Sequence, residues 1–399
     1  MKSPTPTLPQ GEGVMSSLRD FRKRLIQFPA PPSLWGRAGV GLIGLFCLIL
    51  CGCIIEYTPT GIDEVVDILV VDGVVTDDES YITLSRSVSL TGEEDYSYSY
   101  YVNNAKVYVE CDDNTQLAGF RVNDFGRYAI NTGKLNPERQ YRLKIVIDMI
   151  EYGSDYSYPI QTPEIDSIFW KKRGLGQPVM LYVATHDQEG KILYFRWSYK
   201  EDWEYHAEVY SNNYPFYCWR SDNNKELWLG STEKTVFGRL NDMVMEISPW
   251  NRKLSVLYRI NITQNVISKR AYDYFANIKK NAQQTGSIFS PIPSELRGNI
   301  SCITDPGRPV IGYVDVSSTD KKQRLIPYNE GAYEDRFNWD CQTFTAEELK
   351  ERYGDDIPDE YVIVNPMISP PTFAKLQCMD CTYYGGSPNQ KPEDWPNNH

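Results

Sequence analysis

Apolar and polar residues alternate with a period of two along several short stretches of the chain. Residues 81–87, from Tyr81 through Ile82 and Leu84 to Ser87, and residues 105–111, from Ala105 to Cys111, each read as a strand with one buried and one wet face. Residues 67–76 form a denser apolar run ending in the turn residues Asp77, Asp78 and Glu79, and residues 127–130 and 140–147 complete the set. Short strands separated by turn residues, without helical periods between them, predict an Ig-like β-sandwich of about seven strands over residues 66–162. A second β-rich domain is expected over 163–387, with strands at 179–185, 192–199, 204–210, 235–237, 253–260 and 310–316.

One inserted helix interrupts this second domain. Ser268 is placed to cap it, Ala271, Phe275, Ile278 and Ala282 recur at helical spacing, and Gly286 stops it. Thr345-Ala346-Glu347-Glu348 is a capping-box pattern that starts a short C-terminal helix ending at Gly354. The fold class is therefore mainly β. Residues 388–399 are polar and Pro-rich and read as a loose tail.

The N-terminus follows a different rule. Residues 39–50 are uniformly apolar and follow the basic residues Arg19, Arg22, Lys23, Arg24 and Arg37. This run of twelve residues is too short to span a bilayer, which takes about 20, and fits the core of a signal peptide. It ends in Leu50-Cys51-Gly52-Cys53, which resembles the lipobox of bacterial lipoproteins and makes Cys53 the expected lipidation site. The departure is Cys51, where Ala, Ser, Thr or Val is usual. An uncleaved membrane anchor is the alternative. The Pro-rich stretch ahead of the apolar run is long for a signal peptide, which suggests a translation start set too far upstream, with Met15 one later start. On this reading residues 1–52 are removed and residues 53–65 form a tether.

Loss of residues 1–52 moves the formal net charge from −12 to −16. So acidic a body repels phosphate backbones, and nucleic acid is not an expected partner. The chain has 29 Tyr but only three His. A Ser or Cys nucleophile needs a base to take its proton, yet His186 falls in a turn, His206 within a strand and His399 in the tail. A Gly-rich phosphate loop, HExxH and GxSxG are absent from the sequence. The acidic groups Glu93-Glu94-Asp95, Asp112-Asp113 and Asp355-Asp356 could in principle run glycoside hydrolysis, but such neighbours usually belong to turns and solvated faces. Asp112, Asp113 and Asn114 fall short of a Ca²⁺ loop. No catalytic residue, metal or cofactor is expected.

The surface feature of most interest is the Tyr/Ser run at 96–101, with Tyr96, Tyr98, Tyr100 and Tyr101. Binding loops use these residues because Tyr offers a large contact area at low entropic cost and Ser adapts its hydrogen bonds. An edge strand with Tyr on one face would give the same pattern. A second aromatic cluster at 214–219, with Trp228, is expected to be core or interface packing. Six cysteines follow Cys53, and an even number in an exported chain permits disulfides whose pairing cannot be read from sequence. Cys218, Cys302, Cys341, Cys378 and Cys381 are the candidates. Cys378-Met379-Asp380-Cys381 has zinc-like or redox-like spacing but lacks a second CxxC or a nearby His. A structural disulfide through one of this pair is expected.

Several blocks, taken in order, resemble one family. They are residues 69–77 with 82–87, Asn104-Ala105-Lys106-Val107, residues 163–168, Arg196-Trp197 with Trp203-Glu204, and residues 271–275 with 285–289. Gly298-Asn299-Ile300, Thr304-Asp305-Pro306, Gly312-Tyr313, residues 378–382, Gly385-Gly386, Lys391-Pro392 and Trp395 continue the match. The pattern is similar to a Bacteroidota lipoprotein family, domain of unknown function 4249, and covers nearly all of the chain after Cys53. The resemblance implies an outer-membrane lipoprotein encoded beside a TonB-dependent receptor, with the N-terminal lipid in the bilayer. It further implies a non-enzymatic role as an accessory or substrate-capturing subunit of that uptake system. It assigns no substrate and no catalytic residue. Glu56 is the one acidic residue close behind Cys53, so the periplasmic and cell-surface faces both stay open. The alternatives are a secreted hydrolase using paired carboxylates and a structural envelope or adhesin lipoprotein.

Overall fold

Strand β1 (Leu69–Thr76) turns at Asp77 into β2 (Asp78–Arg86), and the two pair antiparallel in a structure that is a computed structural model. It describes residues 68–87, 100–223, 227–235, 238–284, 298–334 and 341–396, all within one unit spanning 63–399. The expected signal peptide 1–52 and tether 53–65 lie outside the described residues. The chain continues through β3 (Lys106–Cys111), β4 (Gln116–Ala118), β5 (Phe120–Arg121), β6 (Arg127–Gly133), β7 (Tyr141–Ile147) and β8 (Ile150–Ser154). Burial alternates residue by residue along β7, with Tyr141, Leu143, Ile145 and Ile147 inward, as strict binary patterning requires. Gly119 lets the chain pass from β4 in one sheet to β5 in the other. A Cβ there would stand 2.7 Å from Ile130 Cγ1 and 2.9 Å from the Ala129 carbonyl.

The second domain contains β9 (Ile165–Lys172), β10 (Val179–His186), β11 (Tyr194–His206), β12 (Tyr217–Asn223), β13 (Trp228–Ser231), β14 (Arg239–Ile247) and β15 (Leu257–Ile267). The strands expected at 192–199 and 204–210 are in fact one strand of 13 residues, β11. Lys200, Glu201 and Asp202 read as a polar break, but Glu201 and Asp202 are buried in the strand with charged partners. Part of the strand expected at 235–237 lies outside the described residues. Helix α1 (Lys269–Gln284) starts as expected: Ser268 Oγ accepts from the Ala271 N–H at 3.1 Å. Ala271, Tyr274 and Phe275 form its buried stripe with Ile267. Gly286, its expected stop, is outside the described residues.

The first sandwich does not close within residues 66–162. β16 (Ile300–Cys302) pairs with β8, while β17 (Val310–Gly312) and β18 (Val316–Ser317) run parallel to β1. The result is a six-stranded sheet, β17-β1-β2-β6-β5 with β18 on β1, facing a five-stranded sheet, β16-β8-β7-β3-β4. Val71, Ile82, Leu84 and Ile130 from one sheet meet Val107, Leu143, Ile145 and Tyr152 from the other, and Ile300 and Val316 complete the core. The strand expected at 310–316 is therefore two short parallel pieces that belong to the first sandwich. Parallel pairing at this separation needs a long crossover, and the second domain supplies it. Gly312 is required here: at φ 154° its Cβ would stand 2.5 Å from the Val71 carbonyl oxygen. Gly312→Ala is expected to cost about 1–3 kcal/mol, seen as a lower urea midpoint.

β19 (Thr319–Pro327) returns to the second sandwich, where β14-β10-β9 packs on β12-β11-β15-β19 with β13 on β11. Val179, Leu181, Val183, Phe195, Trp197, Ile260 and Ile262 lie between these sheets. Polar contacts pin the two sandwiches together: Arg196 pairs with Asp72 at 2.7 Å, Asp77 accepts from the Thr319 N–H, and Asp315 accepts from the Ser268 N–H at 2.7 Å. A small sheet follows, built from β20 (Phe344–Thr345), β21 (Tyr361–Ile363) and β22 (Thr372–Lys375) around α2 (Ala346–Tyr353), with α3 (Leu376–Met379) after it. The capping box at α2 forms as expected, with Thr345 Oγ1 and Glu348 Oε2 each accepting the other residue's N–H, and Gly354 ends the helix at φ 71°. The tail does not behave as a loose segment. Residues 388–396 lie against the second sandwich, with Trp395 only 3% exposed, because its indole finds a buried carboxylate partner.

Candidate functional site

Of the expected aromatic loop, Tyr96 and Tyr98 lie outside the described residues, as does the lipidation candidate Cys53. Tyr101 bridges to Ser85 at the end of β2. The Tyr100 hydroxyl donates to that of Tyr101 at 3.1 Å, and Phe125 meets the Tyr101 ring edge-on at 5.6 Å. Close by in sequence and sheet stand Phe120 and Val122, 58% and 47% exposed, on or beside β5, the outermost strand of its sheet. Phe120, Ala129 and Tyr81 form one cross-strand row over β5, β6 and β2, and the Arg127 guanidinium covers the Tyr81 ring at 4.3 Å. The edge thus presents aromatic faces, phenol hydroxyls and a cation to solvent, a combination suited to stacking and adaptable hydrogen bonding. Phe120, Val122 and Phe125 gave no periodic signal in the sequence.

The cysteines divide by domain. Cys218 bonds to Cys381 and Cys341 to Cys378, so each member of the Cys378-to-Cys381 pair has a distant partner. Cys302, offered as a disulfide candidate, is a free thiol buried in the core of the first sandwich, as is Cys111. The bridged cysteines all belong to β12 and the C-terminal region, away from that core. Cys111 helps to line a pocket of about 250 Å³ with Val109, Leu117, Leu135, Tyr141 and Lys134. Burial pushes the Cys111 thiol up, which keeps it protonated and a poor nucleophile. Asp112 and Asp113 both pair with the Arg139 guanidinium at the rim.

Nearby, Glu110 is 5% exposed and accepts from Gln116, from Arg142 and from the Tyr156 hydroxyl. Burial works to raise its carboxyl, but Gln116, Arg142 and Tyr156 together outweigh this and hold it below its ordinary range. A lowered carboxyl contributes stability above its unfolded pKa, about 4.3, and loses it as pH falls through the lower folded value. Glu110→Gln should therefore cost about 1–3 kcal/mol at neutral pH. It should also flatten the loss of stability below about pH 4, as thermal melts across pH would show.

The densest group of buried charge lies on β11. Glu201 faces the core, where Lys253 and the Tyr258 hydroxyl donate to it. Burial and the Glu201 charge push the Tyr258 phenol well above its ordinary value, so it remains a donor. Asp202 and Glu204, two residues apart, share the opposite face. Asp202 holds Arg259 through Nε at 3.0 Å and Nη2 at 2.8 Å and accepts from Ser221. Glu204 accepts from the indoles of Trp219 at 3.1 Å and Trp395 at 2.6 Å, and lies 2.9 Å from His206 Nε2. Arg259 also reaches Asp394 at 2.8 Å, which holds that carboxyl below its ordinary range. These carboxylates are acceptors for fixed donors, an arrangement that binds structure together. His186 pairs with Asp166 at 2.7 Å on the surface, and His399 is outside the described residues. In the second aromatic cluster, Phe216 packs on the core as expected, whereas Tyr217 is 50% exposed.

No curated protein matches the sequence. A chain from the structure of manganese lipoxygenase of Gaeumannomyces graminis and part of zonadhesin of Komagataella pastoris is similar at 7% identity, covering 52% of this chain and 90% of that one. Its TM-score is 0.15, too low to carry any argument. The family model described as Domain of unknown function (DUF4249) matches residues 55–323, more than half of the sequence, and the chain belongs to that family.

Proposed function

We propose that the protein is a lipid-anchored outer-membrane accessory that binds rather than catalyses, serving as a substrate-capturing subunit of a TonB-dependent uptake system. The observation that carries this reading is a contrast between two surfaces. The buried carboxylates Glu110, Glu201, Asp202 and Glu204 are all engaged by donors within the fold, while Phe120, Val122 and Phe125, beside the half-buried Tyr101, expose apolar side chains at the sheet edge. A hydrolase needs a carboxyl pair facing a cleft with room for water or sugar, and the engaged groups favour a structural role. The lipobox-like run ending at Cys53 supports the anchor.

Purification from native membranes in mild detergent tests the proposal. A barrel receptor should accompany the wild-type chain and be lost from the double variant Tyr101→Ala/Phe125→Ala, while Cys53→Ala should move the protein to the soluble fraction. Recovery of the wild-type chain without any receptor would sink it.

A further inference from the structure

After Gly386 the chain crosses the outer face of the β12-β11-β15 sheet without adding a strand to it. Its backbone joins the sheet through a pair of 3.1 Å hydrogen bonds between Trp219 and Ser387. Beyond that point side chains hold it: Lys391 over the Trp219 ring, Asp394 on Arg259, and Trp395 with its indole N–H on Glu204 and its ring 5.0 Å from the Arg259 guanidinium. The chain's own Asp394–Trp395 thus resembles a ligand, one carboxylate and one indole received by a guanidinium and a carboxylate.

The chemistry of the walls argues that this occupant can leave. A permanent plug closes an apolar hole, and its removal exposes hydrocarbon to water. Here Trp395 lies on Glu204 and Arg259, charged groups that water solvates well when they are uncovered. The Asp394 side chain is itself 72% exposed, so its ion pair is a rim contact.

We infer that this slot is a docking site for a peptide segment carrying an acidic residue followed by tryptophan, occupied in cis by Asp394–Trp395 and open to a partner protein's segment of the same chemistry. Arg259 takes the acid, and Glu204, which also accepts from Trp219, takes the indole. The tethered segment competes at an effective concentration of about millimolar, so a partner must bind more tightly than the free tail. The inference stands independently of the uptake proposal above.

The test uses a fluorescein-labelled peptide of residues 388–399, titrated into full-length protein and followed by anisotropy. The Trp395→Ala protein should bind it saturably, and the wild type about tenfold or more weakly because its slot is filled. The same peptide carrying Trp395→Ala should not bind. Equal binding to wild type and Trp395→Ala protein, or to both peptides, overturns the inference. Should Trp395→Ala fail to fold, hydrogen exchange on the wild type decides. The amides of Lys391, Glu393, Asp394 and Trp395 should exchange at least about tenfold faster than those of β11 and β12 beneath them, and equal protection would mean a permanent plug.

Discussion

Asp202→Ala is expected to destabilise the protein by about 3–5 kcal/mol, the cost of leaving a buried guanidinium without its carboxylate. The side chains of Asp202 and Arg259 are 1% and 4% exposed, and two hydrogen bonds join them across β11 and β15. Among the described residues, Arg259 would keep only the rim carboxylate of Asp394 as an ion-pair partner. The ion pair itself need not be a net gain. Removing both charges together, as Asp202→Leu with Arg259→Met, should restore much of the loss, because a well-packed apolar pair avoids the desolvation of both ions. Urea unfolding of the single and double variants measures this directly. A single variant as stable as the wild type would show that water reaches Arg259.

The second large effect is expected from the disulfides. Cys218→Ser with Cys381→Ser should cost about 2–5 kcal/mol, since the bond closes a separation of 163 residues and ties the C-terminal region to β12. The Cys341–Cys378 bond closes only 37 residues. On loop entropy its loss should cost about 1 kcal/mol less. Thermal melts of the two double variants should fall in that order. The reverse order would mean that contacts around Cys341, rather than chain entropy, set its contribution.

Much of this fold was legible in the sequence because one-sided burial writes a period of two. The stretches 81–87, 105–111, 140–147 and 179–185 each became a strand, and the Thr345 to Glu348 capping box announced α2 because every residue it needs is local. What failed to show was non-local or irregular. β17 and β18 join β1 in parallel from more than two hundred residues away, and nothing in residues 310–317 names that partner. In β14 a register shift opposite Leu181 and Tyr182 breaks the alternation. β19 is an edge strand whose Asp320, Lys321, Lys322 and Arg324 leave no apolar alternation to read. The tail was misjudged for a related reason: its composition is that of a loose end, but a single indole meets Glu204 191 residues earlier. At the aromatic edge, Tyr100 and Tyr101 stood out by composition, while Phe120, Val122 and Phe125 needed the strand order to join them.

The binding role proposed for that edge is the centre of the functional account, and in-cell photocrosslinking tests it most directly. A photoreactive phenylalanine analogue would replace Phe125 in one strain and Met149 in another, the latter 90% exposed on the β7–β8 turn. The account predicts a crosslink from position 125 to a TonB-dependent receptor and none from position 149. No receptor adduct from position 125, or equal adducts from both positions, would contradict it.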